Sequence, residues 1–466
     1  MSDSVPEEDG LRGPRLASAV TTIVIAVGMA SLDTSIANTA LPTIAEDLNA
    51  SPADSVWVVN AYQLALVVSL LPFASLGEII GYRRVYVWGV AVFTVASLLC
   101  ALSWSLETLT AARIVQGFGA SGIMSVNTAL IRFIYPSRSL GRGVGNNALV
   151  VAVSTAIGPT IAAGILSLGT WQWLFAVNVP LGLIAFALAL RVLPDTRRAT
   201  HRFDIGSAAL NAATFGCLIF GIGEATHSAN LITTLGALAV AFLSGGALIY
   251  RQLGQQAPML PVDLYRRPMF ALSSLTSLCS FTAQGLAFVA LPFYFQTVLG
   301  FNAVETGLLL TPWPVMTAIA APIAGPLSDR FPPAILGGIG LAILGAGLAL
   351  IATLPAHPDI TGIVWRMMIC GAGFGFFQSP NLKAIMSSAP AERSGGASGI
   401  VATSRLVGQA IGVALVALCF GISMRNGPSL ALTAAAVFST AGSFVSFSRL
   451  AAKPVKPVRR AAKRID

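Results

Sequence analysis

The stretch Leu32-Asp33-Thr34-Ser35-Ile36-Ala37-Asn38-Thr39-Ala40-Leu41-Pro42 decides how the chain is read. It sets a carboxylate, Asp33, deep inside an apolar run that begins at Leu16, and it ends in Ala40-Leu41-Pro42, a triplet that returns as Ala290-Leu291-Pro292. The offset of 292 − 42 = 250 is not isolated. Ala74-x-Leu76-x-Glu78 returns as Gly325-x-Leu327-x-Asp329, at 329 − 78 = 251. A Gly-rich segment opened by Arg113 and carrying Asn127 returns as one opened by Arg366 and carrying Asn381, at 366 − 113 = 253 and 381 − 127 = 254. Landmarks that recur in order at one offset mark an internal duplication, the way many transporter folds are built.

Composition names the solvent. Of the 466 residues 55% are hydrophobic and 10% charged, against about 25% charged in a soluble domain, and mean hydropathy is +0.77. Lipid offers backbone groups no partner, so spans must be helices or closed barrel strands; the apolar runs here are roughly 20 residues long, the length of a spanning helix. Fourteen such runs follow one another, the first over 16–41 and the last over 429–449. The repeat offset exceeds six helices, so the seventh and eighth (205–250) are an insert. An even insert returns the second half to the same side, a parallel repeat. The expected fold is therefore all-α and integral to the membrane, two six-helix bundles plus two inserted helices. Its divisions are a tail (1–15), a first bundle (16–191), the insert with its linkers (192–268), a second bundle (269–449) and a basic tail (450–466).

The net charge of +9 could indicate a nucleic-acid partner in a soluble protein. Here the basic residues alternate with apolar runs, which topology explains without nucleic acid. Arg83/Arg84, Arg132/Arg138/Arg142, Arg197/Arg198/Arg202, Arg251/Arg266/Arg267, Arg330, Arg393 and the tail fall on one side; Glu46, Asp47, Asp54, Glu107, Glu305 and Asp359 fall on the other, with Arg425 the exception. Positive charge marks the cytoplasmic face, so both termini are expected inside. The run from Leu16 is too long for a signal peptide and reads as a retained first helix. The five cysteines lie in apolar segments without a C-x-x-C, which argues against disulfide and metal. His201, His227 and His357 fall in connections and read as surface residues; Glu224, near the outer end of the seventh helix, reads as a solvated loop acid, with a second cation site as the alternative. None of Lys383, Lys453, Lys456 and Lys463 precedes Ser or Thr, so no phosphate-binding loop exists. No cofactor is expected, and the energy source is an ion gradient.

Leu32 to Pro42 resembles the helix-1 signature of the fourteen-helix drug:proton antiporter branch of the major facilitator superfamily. Gly81-Tyr82-Arg83-Arg84 after Glu78 resembles its motif A, Arg113-x-x-Gln116-Gly117-x-Gly119 its motif B, and Gly158-Pro159 its motif C. Departures are Glu78 for the usual Asp, Ile79 for a basic residue, and Ala162 and Ala163 for paired glycines. The resemblance runs from Leu16 to about Leu450. It implies alternating access about a central cavity, proton-coupled multidrug efflux in a bacterial inner membrane, and lipophilic cations (quaternary ammonium compounds, dyes, biguanides) as cargo. A monomer is expected.

An acid inside a span is costly and usually serves protons or cations, and removal from water favours its uncharged form. Asp33 is accordingly the expected proton and cargo site; the plainer alternative is an acid that pins helix packing. Arg113 lies at a depth only about 5 Å from that of Asp33 at 1.5 Å per residue, so the two can share a network; alternatively it satisfies helix-end carbonyls. Glu78, Gly81, Arg83 and Arg84 are expected to latch onto the opposite bundle in one state, and Gly158-Pro159 to flex at the interface between bundles. Cargo-lining candidates beside Asp33 are Asn38, Tyr62, Asn127, Asn147, Gln284, Phe288, Trp313, Phe377 and Asn381, aromatics and amides suited to lipophilic cations. Two other readings stay open: export of a neutral or zwitterionic metabolite or antibiotic, and a membrane-embedded sensor or enzyme.

Overall fold

The computed structural model describes residues 10–136, 139–196, 198–199, 203–224, 231–253, 262–355, 357–389, 394–423 and 425–451. His201, His227, Arg138, Arg197, Arg202, Arg393 and most of the basic tail, with the side chain of Glu224, lie outside the described residues. Fourteen helices are long and apolar enough to cross a bilayer. In the first half these are α1 (Gly13–Asp47), α2 (Pro52–Ile80), α3 (Tyr82–Ala101), α4 (Leu106–Ile134), α5 (Arg142–Leu168) and α6 (Gln172–Val192). Then follow α7 (Ile205–Gly223) and α8 (Ile232–Leu253), and in the second half α9 (Pro268–Val298), α10 (Ala303–Arg330), α11 (Pro333–Ala352), α12 (Ile360–Ser388), α13 (Gly399–Ile422) and α14 (Gly427–Ser448).

One boundary differs from expectation. α1 does not stop at Leu41 but continues through Pro42 to Asp47. Proline removes only one backbone donor and crowds the carbonyl four residues back, and here residues 35–42 are all buried, so packing holds the helix beyond the break that sequence alone places there.

The duplication is written into the packing. In the first half α1 lies against α5 and α6, α4 against α2 and α3, and α3 against α6. In the second half α9 lies against α13 and α14, α12 against α10 and α11, and α11 against α14, the same pairs eight helices on. Between halves the pairing is exchanged: α2 meets α13 and α5 meets α10, as a two-fold axis between equivalent bundles requires. The insert leans on that seam through α7, which touches α2 and α13, and the Asn211 amide donates to the Val68 carbonyl at 2.9 Å.

Large apolar side chains point outward, with Trp88 70%, Phe242 75% and Phe444 71% exposed, while polar groups such as Asn60, Arg113 and Gln116 are fully buried. That inversion suits lipid. With no hydrophobic drive between helices in a bilayer, association relies on small residues that let backbones approach. A Cβ on Gly119 of α4 would sit 2.4 Å from the Phe93 nitrogen of α3; at the repeat-equivalent place, one on Gly373 of α12 would sit 2.5 Å from the Leu344 nitrogen of α11. Gly119→Val and Gly373→Val should therefore each lower the unfolding midpoint of the purified protein, by about 1–3 kcal/mol or more of overpacking strain. The losses should add in the double variant because the sites lie in separate halves. Unchanged thermal unfolding would contradict this account of the packing.

The halves are joined at the end rich in acids. Thr160 and Thr311 share a hydrogen bond at 2.8 Å, and Thr43 donates to Gln296 at 3.5 Å, both toward the end that carries Asp47, Asp54, Glu107 and Glu305. At the basic end, among the described residues, Arg83 bonds Asp195, Arg267 the Ser388 carbonyl and Lys383 Asp329, each within its own half.

Candidate functional site

Five helices of the first half converge on Asp33. Its Oδ2 accepts from Nη1 of Arg113 at 2.5 Å, and its Oδ1 from the amides of Gln116 at 2.9 Å and Asn178 at 2.8 Å. Arg113 and Gln116 lie three residues apart on one face of α4 and so reach the same carboxylate. Asn178 comes from α6, two residues before Pro180, where the helix is interrupted at Val177. Arg113 is held twice more: Nε donates to the Val58 carbonyl at 3.1 Å and Nη1 to Gln116 Oε1 at 2.6 Å. Gln116 also donates to Ser97 at 2.9 Å, drawing α3 into the network. The Tyr62 ring of α2 lies 4.2 Å below the guanidinium, and Phe175 of α6 lies 5.5 Å away.

Asp33 is 1% exposed and Arg113 0%. A buried pair survives desolvation only with further hydrogen bonds on both partners; Asp33 and Arg113 have them, although the Arg113 Nη2 lacks a partner among the described residues. Each member keeps partners without the other: two amides hold the carboxyl, and a carbonyl and an amide oxygen hold the guanidinium. Neutralising one therefore leaves the other its hydrogen bonds but not its counter-charge.

The remaining expected residues fall into separate groups. Tyr62 is fully buried and offers its face to Arg113, so that cation, not cargo, occupies it. Asn38 is 8% exposed, and its Oδ1 has no hydrogen-bond partner among the described residues. Asn127 donates to Asn147 at 2.7 Å, tying α4 to α5. Gln284 accepts from Gln409 at 3.0 Å, and Phe288 meets Trp313 edge to face at 5.2 Å. Trp313 is 1% exposed, and its indole Nε1 lacks a partner among the described residues. Phe377 and Asn381 sit inside the second half. Phe377 packs on Phe281 at 6.5 Å, while Asn381 donates to Ser277 at 2.7 Å and accepts from Arg449 at 2.8 Å. Both are committed to binding α9, α12 and α14 together.

The expected latch is engaged elsewhere in this structure. Arg83 bonds Asp195 at 2.9 Å and the Leu190 carbonyl at 2.5 Å, beyond and within the last turn of α6 in its own half. The Glu78 carbonyl accepts from the Ala199 amide at 2.7 Å, and Thr196 caps Tyr82 at 2.9 Å. Gly81 takes φ +102°, a backbone that side chains rarely adopt, to turn α2 into α3, and Arg84 is exposed. Pro159 lies against α10 of the other half, while Gly158 packs against α1 of its own bundle. A Cβ on Gly158 would strike Ser35 of α1 at 2.3 Å, and one on Gly307 of α10 would strike the Pro159 carbonyl at 2.4 Å.

Sequence reasoning passed over Asn178, the site role of Gln116, and Arg405 with Gln409 on α13. A lone amide or arginine within an apolar window was the available signal.

Residues 23–413 match the family described as Major Facilitator Superfamily. "Uncharacterized transporter YebQ" of Escherichia coli (strain K12) is 54% identical over 95% of this chain and 98% of that protein. The tetracenomycin C resistance and export protein of Streptomyces glaucescens is 33% identical over 87% of this chain and 76% of its own. A solved POT family transporter in complex with a thioalcohol-conjugated peptide superposes with a TM-score of 0.70 at 15% identity, covering 94% of this chain and 96% of that one, a likeness of fold. With fourteen spanning helices, the repeated packing and these matches together, the chain belongs to the Major Facilitator Superfamily and is a multi-pass membrane transporter, not an enzyme.

Proposed function

We propose that the protein is a proton-coupled efflux antiporter for small organic molecules, with Asp33 as the proton site and Arg113 as the group its charge controls. The observation that carries this is the doubly supported pair: each partner keeps two other hydrogen-bonding neighbours when the ion pair is dissolved. A proton on Oδ2 displaces the Arg113 hydrogen bond. The carboxyl stays on Gln116 and Asn178, and the guanidinium turns to Val58 and Gln116. Because α1, α2, α3, α4 and α6 all contribute, that exchange loosens the packing of the first half and so biases its position against the second. The proton gradient is the energy source and no cofactor takes part. The basic end faces the cytoplasm of a bacterial inner membrane, as positive charge dictates, and the protein works as a monomer.

Lipophilic cations are the cargo that one deep carboxylate favours, through charge and aromatic contact. A second reading, neutral or zwitterionic cargo, is favoured by the saturation of Asp33 and by the coverage of Tyr62 by Arg113. In this reading the free Trp313 Nε1 and Asn38 Oδ1 are hydrogen-bonding points for cargo.

Proteoliposomes holding a pH dye and an imposed proton gradient separate the readings. Adding ethidium or tetracycline should each, or one alone, release lumenal protons beyond the leak of empty liposomes. Release with ethidium alone supports the cationic cargo and release with tetracycline alone the other, while release with neither across a compound panel defeats proton-coupled export.

A further inference from the structure

We propose that Arg405, on α13, is a cargo-binding cation that selects molecules carrying an acidic group on a flat aromatic body; the inference names a substrate class and rests on the transport reading above. Among the described residues Arg405 has no hydrogen bond or ion pair, although it lies within the span Gly399–Ile422, deep in the protein and partly accessible. An arginine at membrane depth normally finds an acid or carbonyls, and one without them marks a pathway or a binding site.

Its direction follows from the helix. Gly408 and Gly412 press on α9, where a Cβ would lie 2.9 Å and 2.4 Å from the carbonyls of Leu278 and Thr282. Leu406, Val407, Ala410 and Ala414 share the buried cluster of α2, which holds Leu66, Val67 and Leu70. Arg405 and Gln409, one turn apart, fall on the sector next to the α9 contact, in line with Val413, Val416 and Phe420 higher on the helix. Those three are buried in the cluster that spans both halves and includes Ile36, Ala37 and Ala162 of the first, so this sector is turned toward protein rather than lipid. It is buried toward the acidic end, where the halves join, and partly accessible at Arg405 and Gln409, nearer the basic end.

The neighbouring chemistry defines the guest. Gln409 bonds Gln284 of α9, level with it, and one turn further toward the acidic end Phe288 stands partly exposed against Trp313. From the level of Arg405 to that of Phe288 is two turns, about 12 Å at 1.5 Å per residue, the length of a fused tricyclic molecule. A charge at one end, amides between and aromatic edges at the other fit an aromatic acid or zwitterion. Among the described residues the only carboxylate at comparable depth, Asp33, is sealed under Arg113, so the charge this face offers is positive. An arginine fork pairs a carboxylate with two parallel hydrogen bonds, where lysine offers a point charge.

Two dyes on one xanthene frame test this: fluorescein, anionic, and rhodamine 123, cationic, with binding measured by fluorescence anisotropy on detergent-solubilised protein without any gradient. Wild type should bind fluorescein, R405Q should weaken it about tenfold, as loss of a charged hydrogen bond does, and R405K should recover part of the loss. Rhodamine 123 should not weaken in parallel. Size-exclusion elution and thermal midpoint check that both variants fold. Equal fluorescein affinity in wild type and R405Q, a parallel loss for both dyes, or a wild type that binds rhodamine 123 and not fluorescein would each overturn the assignment. Arg405-dependent binding without proton movement in proteoliposomes would instead defeat the antiport reading and leave this site standing.

Discussion

Asp33→Asn abolishes cargo-driven proton movement in proteoliposomes and also lowers the thermal unfolding midpoint. The first effect follows because an amide cannot exchange a proton in this range. The second follows from burial: with Arg113 0% exposed, removing its counter-charge leaves a cation in a dry interior, and breaking such a pair costs about 3–5 kcal/mol. The two effects separate in the double variant Asp33→Asn/Arg113→Gln, where no buried charge remains. Its unfolding midpoint returns toward wild type while coupled transport stays absent. A single Asp33→Asn variant that exchanges protons for cargo at the wild-type rate would remove this carboxylate from the mechanism, and a double variant no more stable than the single would show that the pair does not set stability.

Gly307→Val has the other large expected effect, and it acts between the halves rather than inside one. A Cβ there would lie 2.4 Å from the Pro159 carbonyl and 2.7 Å from the Ala163 Cβ, and backbone atoms cannot turn aside. The wedge holds α5 and α10 apart at the acidic end, so the state joined at that end becomes costly. Transport should fall more than tenfold, the consequence of roughly 1.4 kcal/mol or more of overpacking, while the thermal midpoint moves little because each bundle keeps its own packing. Gly325→Val on the same helix is the control, since nothing lies within 4 Å of its Cβ position. Wild-type transport by Gly307→Val would mean that the contact is not part of the cycle.

Much of this molecule is legible in one dimension. Fourteen apolar runs, four landmarks repeated near an offset of 250 and one acid within a run need no knowledge of packing, because length, polarity and spacing are properties of the string. The dual support of the Asp33–Arg113 pair is not of that kind. Its donors lie 80, 83 and 145 residues from Asp33, and Asn178 carries no local pattern that points to a carboxylate. Tyr62 and Phe377 show the same limit from the other side. As aromatics in spans both read as cargo contacts, yet one ring lies against Arg113 and the other against Phe281.

The sequence by itself determined the solvent, the number of helices, their duplication and the depth of Asp33. Only the tertiary structure decided which face of each helix meets protein, lipid or the axis between the bundles. The physical reason is that a membrane helix is apolar on its core face and its lipid face alike, so hydrophobic periodicity, which orients a helix in water, is silent here. Arg405 disappears into an apolar window for that reason, and its unpartnered charge is visible only once α2, α9 and α13 are set around it.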